Sequence, residues 1–167
     1  MRWWCRPTLV FALLTGLLLH AAALPLAGGT APPQMLAILA TLAVIAGITK
    51  LAYWQAIDRQ PLTASRASAL GLPADRQATV FERPHTEANY LTREMGFVLA
   101  RKHSRKLRAI SLLLFGLLPL LACALAWTAP GFATAAIAIA ALCGLLGALV
   151  ERWLFFAEAK HLVTLYY

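Results

Sequence analysis

Residues 132–161 read FATAAIAIAALCGLLGALVERWLFFAEAKH. From Phe132 to Leu149 the run holds no charge; Glu151, Arg152, Glu158, Lys160 and His161 then follow within eleven residues. A helix rises about 1.5 Å per residue, so about 20 apolar residues cross a bilayer core of roughly 30 Å. The uncharged run is long enough to do so, and its charged end is where such a helix would leave the membrane.

The rest of the chain repeats the pattern. Hydrophobic residues make up 60% and charged residues 13%, with a mean hydropathy of +0.69, which excludes an ordinary soluble domain. Four apolar stretches, at about 7–24, 34–57, 109–127 and 132–156, have the length of a span. They do not alternate as barrel strands do, and a helix satisfies its own backbone where no water can. The fold class expected is all-α: an integral membrane bundle of four transmembrane helices. It divides into a first hairpin (1–57), a basic loop (58–108), and a second hairpin with a C-terminal tail (109–167). The start, MRWWCRPTLVFALLTGLLLHAAALP, also has the layout of a cleaved signal peptide. Trp3, Trp4 and Pro7 favour a permanent span with an interfacial belt.

Positive charge sets the orientation. Ten of the fifteen Lys and Arg residues fall in 58–108, while the short links 25–33 and 128–131 carry none. Cations are retained on the cytoplasmic side, so both termini and the central loop are expected there. Lys50, inside the second stretch, is expected to snorkel toward the headgroups. The two short links, rich in Gly and Pro, make each adjacent pair of spans an antiparallel hairpin.

Within the loop, residues 58–85 read as irregular and 86–108, TEANYLTREMGFVLARKHSRKLR, as a helix. Thr86 suits a cap, Glu87 the first turn, and Leu91, Met95, Val98 and Leu99 recur at helical spacing. Its end, RKHSRKLR, packs five Lys and Arg and one histidine into eight residues. No aromatic platform interleaves these charges, so nucleic acid is not the partner indicated. Arg101, Lys102, Arg105 and Lys106 are instead candidates for contact with anionic lipid or a partner subunit. Arg83, His85 and Glu87, in the compact polar cluster FERPHTEANY, are candidates of the same kind.

Few residues suggest chemistry. There is no glycine-rich phosphate loop, no zinc-protease helix and no nucleophile elbow. Cys5, Cys123 and Cys143 have no paired spacing, and no metal site is expected. His20 and His161 would stand at opposite faces of the membrane, which argues against a haem between them. Ionisable residues at membrane depth mark pathways or pockets more than any others do. Glu151, Arg152 and His161 are therefore the candidates for a pocket or proton path. Arg152 is also expected to pair, with Glu151 or with a carboxylate on a neighbouring helix, and no catalytic residue is assigned.

Three stretches, LVERWLFFAEAKHLVTLYY, PHTEANYLTREMGFVLARKHSRKLR and RWWCRPTLVFALLTGLLL, resemble the membrane-anchor subunit of bacterial dimethyl sulfoxide reductases. The resemblance covers essentially this whole chain but only the C-terminal half of such anchors, which have about twice as many spans. It implies a non-catalytic anchor in the bacterial inner membrane that takes part in quinol oxidation in anaerobic electron transport. The implied partners are an iron–sulfur electron-transfer subunit, a molybdopterin catalytic subunit, the lipid bilayer and a missing N-terminal half. Menaquinol is the implied electron donor; the iron–sulfur clusters and molybdopterin belong to the partners, and the anchor holds no cofactor. Glu151, Arg152 and His161 would then supply a proton acceptor and a cation beside the quinol. The competing class is a small four-span transporter, acting as a homo-oligomer, with Glu151 as its coupling carboxylate.

Overall fold

The computed structural model describes residues 5–59, 65–73, 75–79, 81 and 97–159. Every regular element among them is helical. Four helices, Pro7–Ala27, Pro33–Arg59, Ser104–Thr128 and Pro130–Glu158, are long and apolar enough to cross a membrane.

Local chemistry explains the boundaries. Helix α1 (Cys5–Ala23) runs into a 3-10 turn, Leu24–Ala27, and stops at Gly28. Gly28 takes φ +74°, where a side chain is strained, and its N–H donates to Pro25 O at 3.0 Å. Helix α2 (Pro33–Arg59) begins on a proline, whose missing N–H costs nothing in a first turn; Pro32 O accepts from Met35 N–H at 2.9 Å. The short α3 (Arg66–Ala69) is closed by a Ser65–Ser68 capping box. Helix α4 (Val98–Lys102) breaks at His103, and α5 (Ser104–Leu112) restarts at once.

The third rod is not a uniform α-helix. Between α5 and α6 (Leu118–Thr128), residues Leu113–Leu117 widen into a π turn, and Leu118 N–H donates to Leu113 O. Pro119 supplies the reason. It has no N–H to give Phe115 O, and its ring collides with that carbonyl unless the turn opens. After a 3-10 turn at Pro130–Phe132, α7 (Ala133–Glu158) completes the set.

The four rods pack in a ring. α1 lies against α2 and α7, and the third rod lies against the same two, so α2 and α7 face each other across one diagonal. Phe11 and Phe115 meet across the other, with ring centroids 4.5 Å apart. Small residues let α7 approach closely: Ala136, Ala140, Gly144 and Gly147 are all buried. A Cβ on Gly144 would lie 2.8 Å from Leu18 Cδ1, and one on Gly147 would lie 2.8 Å from Phe115 N. Large apolar side chains such as Leu13, Ile48, Leu121 and Leu149 point outward, as they would toward lipid.

Two sequence expectations change here. The third rod begins at Ser104 rather than near 109, so Arg105, Lys106 and Arg108 belong to its first turns, not to a separate loop helix. The helix expected over 86–108 is described only from Val98, and it is broken at His103. Arg83, His85, Glu87 and His161 lie outside the described residues.

Candidate functional site: a charge network at one end of the bundle

The start of α1, the ends of α2 and α7, and the start of α5 gather at one end of the bundle. Lys50 lies nine residues before Arg59, and Glu151 seven before Glu158. At about 1.5 Å per residue, both sit roughly 10–14 Å inside their helix ends. They meet across the α2–α7 diagonal, where Lys50 Nζ donates to Glu151 Oε1. Their side chains are 1% and 0% exposed.

Lys50 therefore does not snorkel. A long cation near a helix end reaches for water only when nothing nearer neutralises it, and Glu151 lies directly opposite. The other Glu151 oxygen, Oε2, accepts from Arg152 Nε at 2.9 Å, the pairing expected from the sequence. Arg152 Nη2 also reaches Thr8 Oγ1 on α1 at 3.4 Å. Aromatic rings wall this group: Lys50 Nζ is 4.1 Å from the Tyr53 ring centroid and 5.3 Å from that of Trp54. The Arg152 guanidinium stands 5.1 Å from the Phe155 ring, and Phe155 stacks on Tyr53. Such contacts add to the stabilisation of a desolvated cation.

A second group lies nearer the helix ends. Arg108 donates to Asp58 through Nη1 and Nη2 at 2.7 and 2.9 Å, and through Nε to Glu158 Oε1 at 2.7 Å. One guanidinium thus fastens α5 to the ends of both α2 and α7, in the forked geometry that makes such pairs strong. Arg108 also lies 5.4 Å from the Trp54 ring, which places this indole between the two groups. Among the described residues, Trp54 Nε1 and Glu158 Oε2 are buried and find no hydrogen-bond partner. Arg101, on α4, donates from Nε to Ala157 O at 2.9 Å. It caps the carbonyl end of α7, where the helix dipole favours a cation.

The charges are complementary. Two cations around Glu151 leave one group formally positive, and two carboxylates around Arg108 leave the other formally negative. The pair of groups is neutral as a whole, which suits its position beside a membrane. Lys102, Arg105 and Lys106 stay exposed outside it.

Of the sequence candidates, the structure brings Glu151 and Arg152 together and places Arg101 against the same helix end. Lys50, Trp54, Asp58, Arg108 and Glu158 were missed as members of a site. The available signal was depth: Lys50 and Glu151 are opposite charges at matching distances from ends that face the same way. Among the described residues, no group of three or more His, Cys, Asp or Glu gathers as metal ligands. At the opposite end, a cleft of about 460 Å³ opens between the two links, with Thr30, Trp127 and Thr134 among its lining and no ionisable side chain. Compared with family models, curated proteins and solved structures, the chain matches none.

Proposed function

We propose that this chain is the membrane-anchor subunit, or half of it, of a dimethyl sulfoxide reductase-type molybdoenzyme. In this reading it sits in a bacterial inner membrane as two antiparallel hairpins, with both termini and the charged end on the cytoplasmic face. The iron–sulfur subunit docks there, the molybdopterin subunit rides on it, and menaquinol delivers electrons from the membrane. The observation that supports the reading is the charge network itself. It fastens α2, α5 and α7 into a fixed end surface where the basic segment meets the span, as a platform for a partner requires. The resemblance of the three quoted stretches supplies the identity of that partner.

In this reading the members of the network have distinct roles. Both Glu151 oxygens are engaged, so Glu151 holds Lys50 and Arg152 in place rather than exchanging protons with a quinol. Arg152 is 39% exposed and is the member of its group that a quinol headgroup can approach. The test pairs Glu151→Gln with Arg152→Ala, expressed with the partner subunits. A scaffold role for Glu151 predicts less assembled complex in the membrane, with normal quinol-driven turnover per assembled complex. A quinol role for Arg152 predicts normal abundance and lost turnover. Wild-type abundance and turnover in both variants would remove the network from the function.

One observation favours the transporter reading: the complete burial of a carboxylate between helices, a common mark of ion coupling. That reading predicts proton-coupled flux in vesicles holding this chain alone, abolished by Glu151→Gln. The anchor reading predicts none.

A further inference from the structure

The third rod sorts its cations by face. Arg108, Ser111 and Phe115 follow one another inward: Arg108 binds Asp58 and Glu158, while Ser111 and Phe115 are fully buried. Lys106 lies on the other side, exposed, and the residues that continue its face are Ile110, Leu113 and Leu117. These three are 45–49% exposed, apolar, and placed where a bilayer would cover them. Lys106 is four residues before Ile110, about 6 Å along a helix. It therefore stands just beyond the apolar stripe, in the first turn of the third rod. Arg105 is exposed beside it, and Lys102 is exposed on the far side of the break at His103.

We infer that Lys102, Arg105 and Lys106 form a binding site for anionic phospholipid headgroups on the outer flank of the third rod. The chemistry is that of charge complementarity at a fixed depth. Acyl chains lie along Ile110, Leu113 and Leu117, and the phosphate meets the three cations directly above. Arg108 cannot contribute, because its guanidinium is consumed by two carboxylates on the inner side. A protein partner docking end-on at the network leaves this lateral face to lipid. The inference requires only that the rods span a bilayer, so it stands or falls separately from the anchor reading.

Each cation near an anionic surface contributes about a fivefold gain in binding, so removing all three should lower retention of anionic lipid about a hundredfold. The full chain would be reconstituted in phosphatidylcholine vesicles with and without phosphatidylglycerol, extracted, and its retained lipids counted by native mass spectrometry. The wild type is expected to retain phosphatidylglycerol selectively. The triple variant Lys102→Gln/Arg105→Gln/Lys106→Gln should lose that selectivity, while Arg76→Gln, which also removes an exposed cation, should keep it. The charge-preserving exchange Arg105→Lys/Lys106→Arg should retain lipid, separating charge from folding. Excess inorganic phosphate should not displace the lipid, because a free ion lacks the chains. Undiminished selectivity in the triple variant would overturn the site. So would selectivity lost equally in Arg76→Gln.

Discussion

Lys50 on α2 and Glu151 on α7 are opposite charges buried against each other well inside their helix ends. On α2 alone, a lysine two turns from a helix end is expected to stretch toward water, and nothing in the second span contradicts that. Across the bundle it meets a carboxylate at the same depth, and the short local path wins. Removing one partner of a buried pair leaves an uncompensated charge, at a cost of about 3–5 kcal/mol, whereas removing both can be nearly neutral. Lys50→Met should therefore lower stability to unfolding in mixed detergent by that amount. Lys50→Met/Glu151→Leu should recover most of it, since Arg152 is partly exposed and can turn outward. A double variant as unstable as the single would contradict the account of this pair. The outer salt bridge behaves differently. Asp58 is 56% exposed, so solvent screens its forked pair with Arg108, and Asp58→Asn should shift the same unfolding curve by about 1 kcal/mol, well below the loss of the buried pair. The pairing of Glu151 with Arg152 was legible in the sequence because both stand side by side on one helix. The Lys50 contact, 101 positions away in sequence, required the packing.

Helix existence was legible from hydropathy; helix interruption and close approach were not. The four rods follow from apolar length, and their ends from Pro and Gly, as at Pro33 and Gly28. The π turn at Leu113–Leu117 follows from Pro119, whose effect depends on whether neighbouring rods make room for a widened turn. Gly147 makes that room, and its Cβ would meet Phe115 N at 2.8 Å, against backbone that cannot swing away. Gly147→Ala should thus destabilise the bundle by about 1–3 kcal/mol, the range for overpacking a close contact. Gly16→Ala, where nothing lies within 4 Å, should be neutral or stabilising by up to about 1 kcal/mol. Equal effects of the two substitutions on the unfolding midpoint would contradict the close packing of α7 on the π turn. The basic helix was placed one element too far out. Its composition reads as a basic helix before the span, yet Arg108 is drawn to two carboxylates at other helix ends, and α5 becomes the first turns of the span.

At the scale of the whole molecule, the sorting of charge gives a sidedness that hydropathy lacks. The two links at Gly28 and Gly131 carry no Lys or Arg, and the opposite end holds the network and the basic segment. Cysteine introduced at Gly28 or Gly131 should react with an impermeant maleimide added from outside intact cells. Cysteine at Ser68 should react only after lysis; reaction of Ser68 in intact cells would reverse the orientation. The proposed function rests on the resemblance of the three quoted stretches, because the residues that recognise a partner subunit carry no spacing or motif of their own. In the proposed anchor role, the charged end is a platform for an iron–sulfur subunit. The most direct measurement of that role is the amount of the iron–sulfur subunit retained on salt-washed membranes with the chain or without it. Retention should depend on the chain and fall in Arg108→Ala, which releases α5 from α2 and α7. Equal retention with and without the chain would contradict the claim.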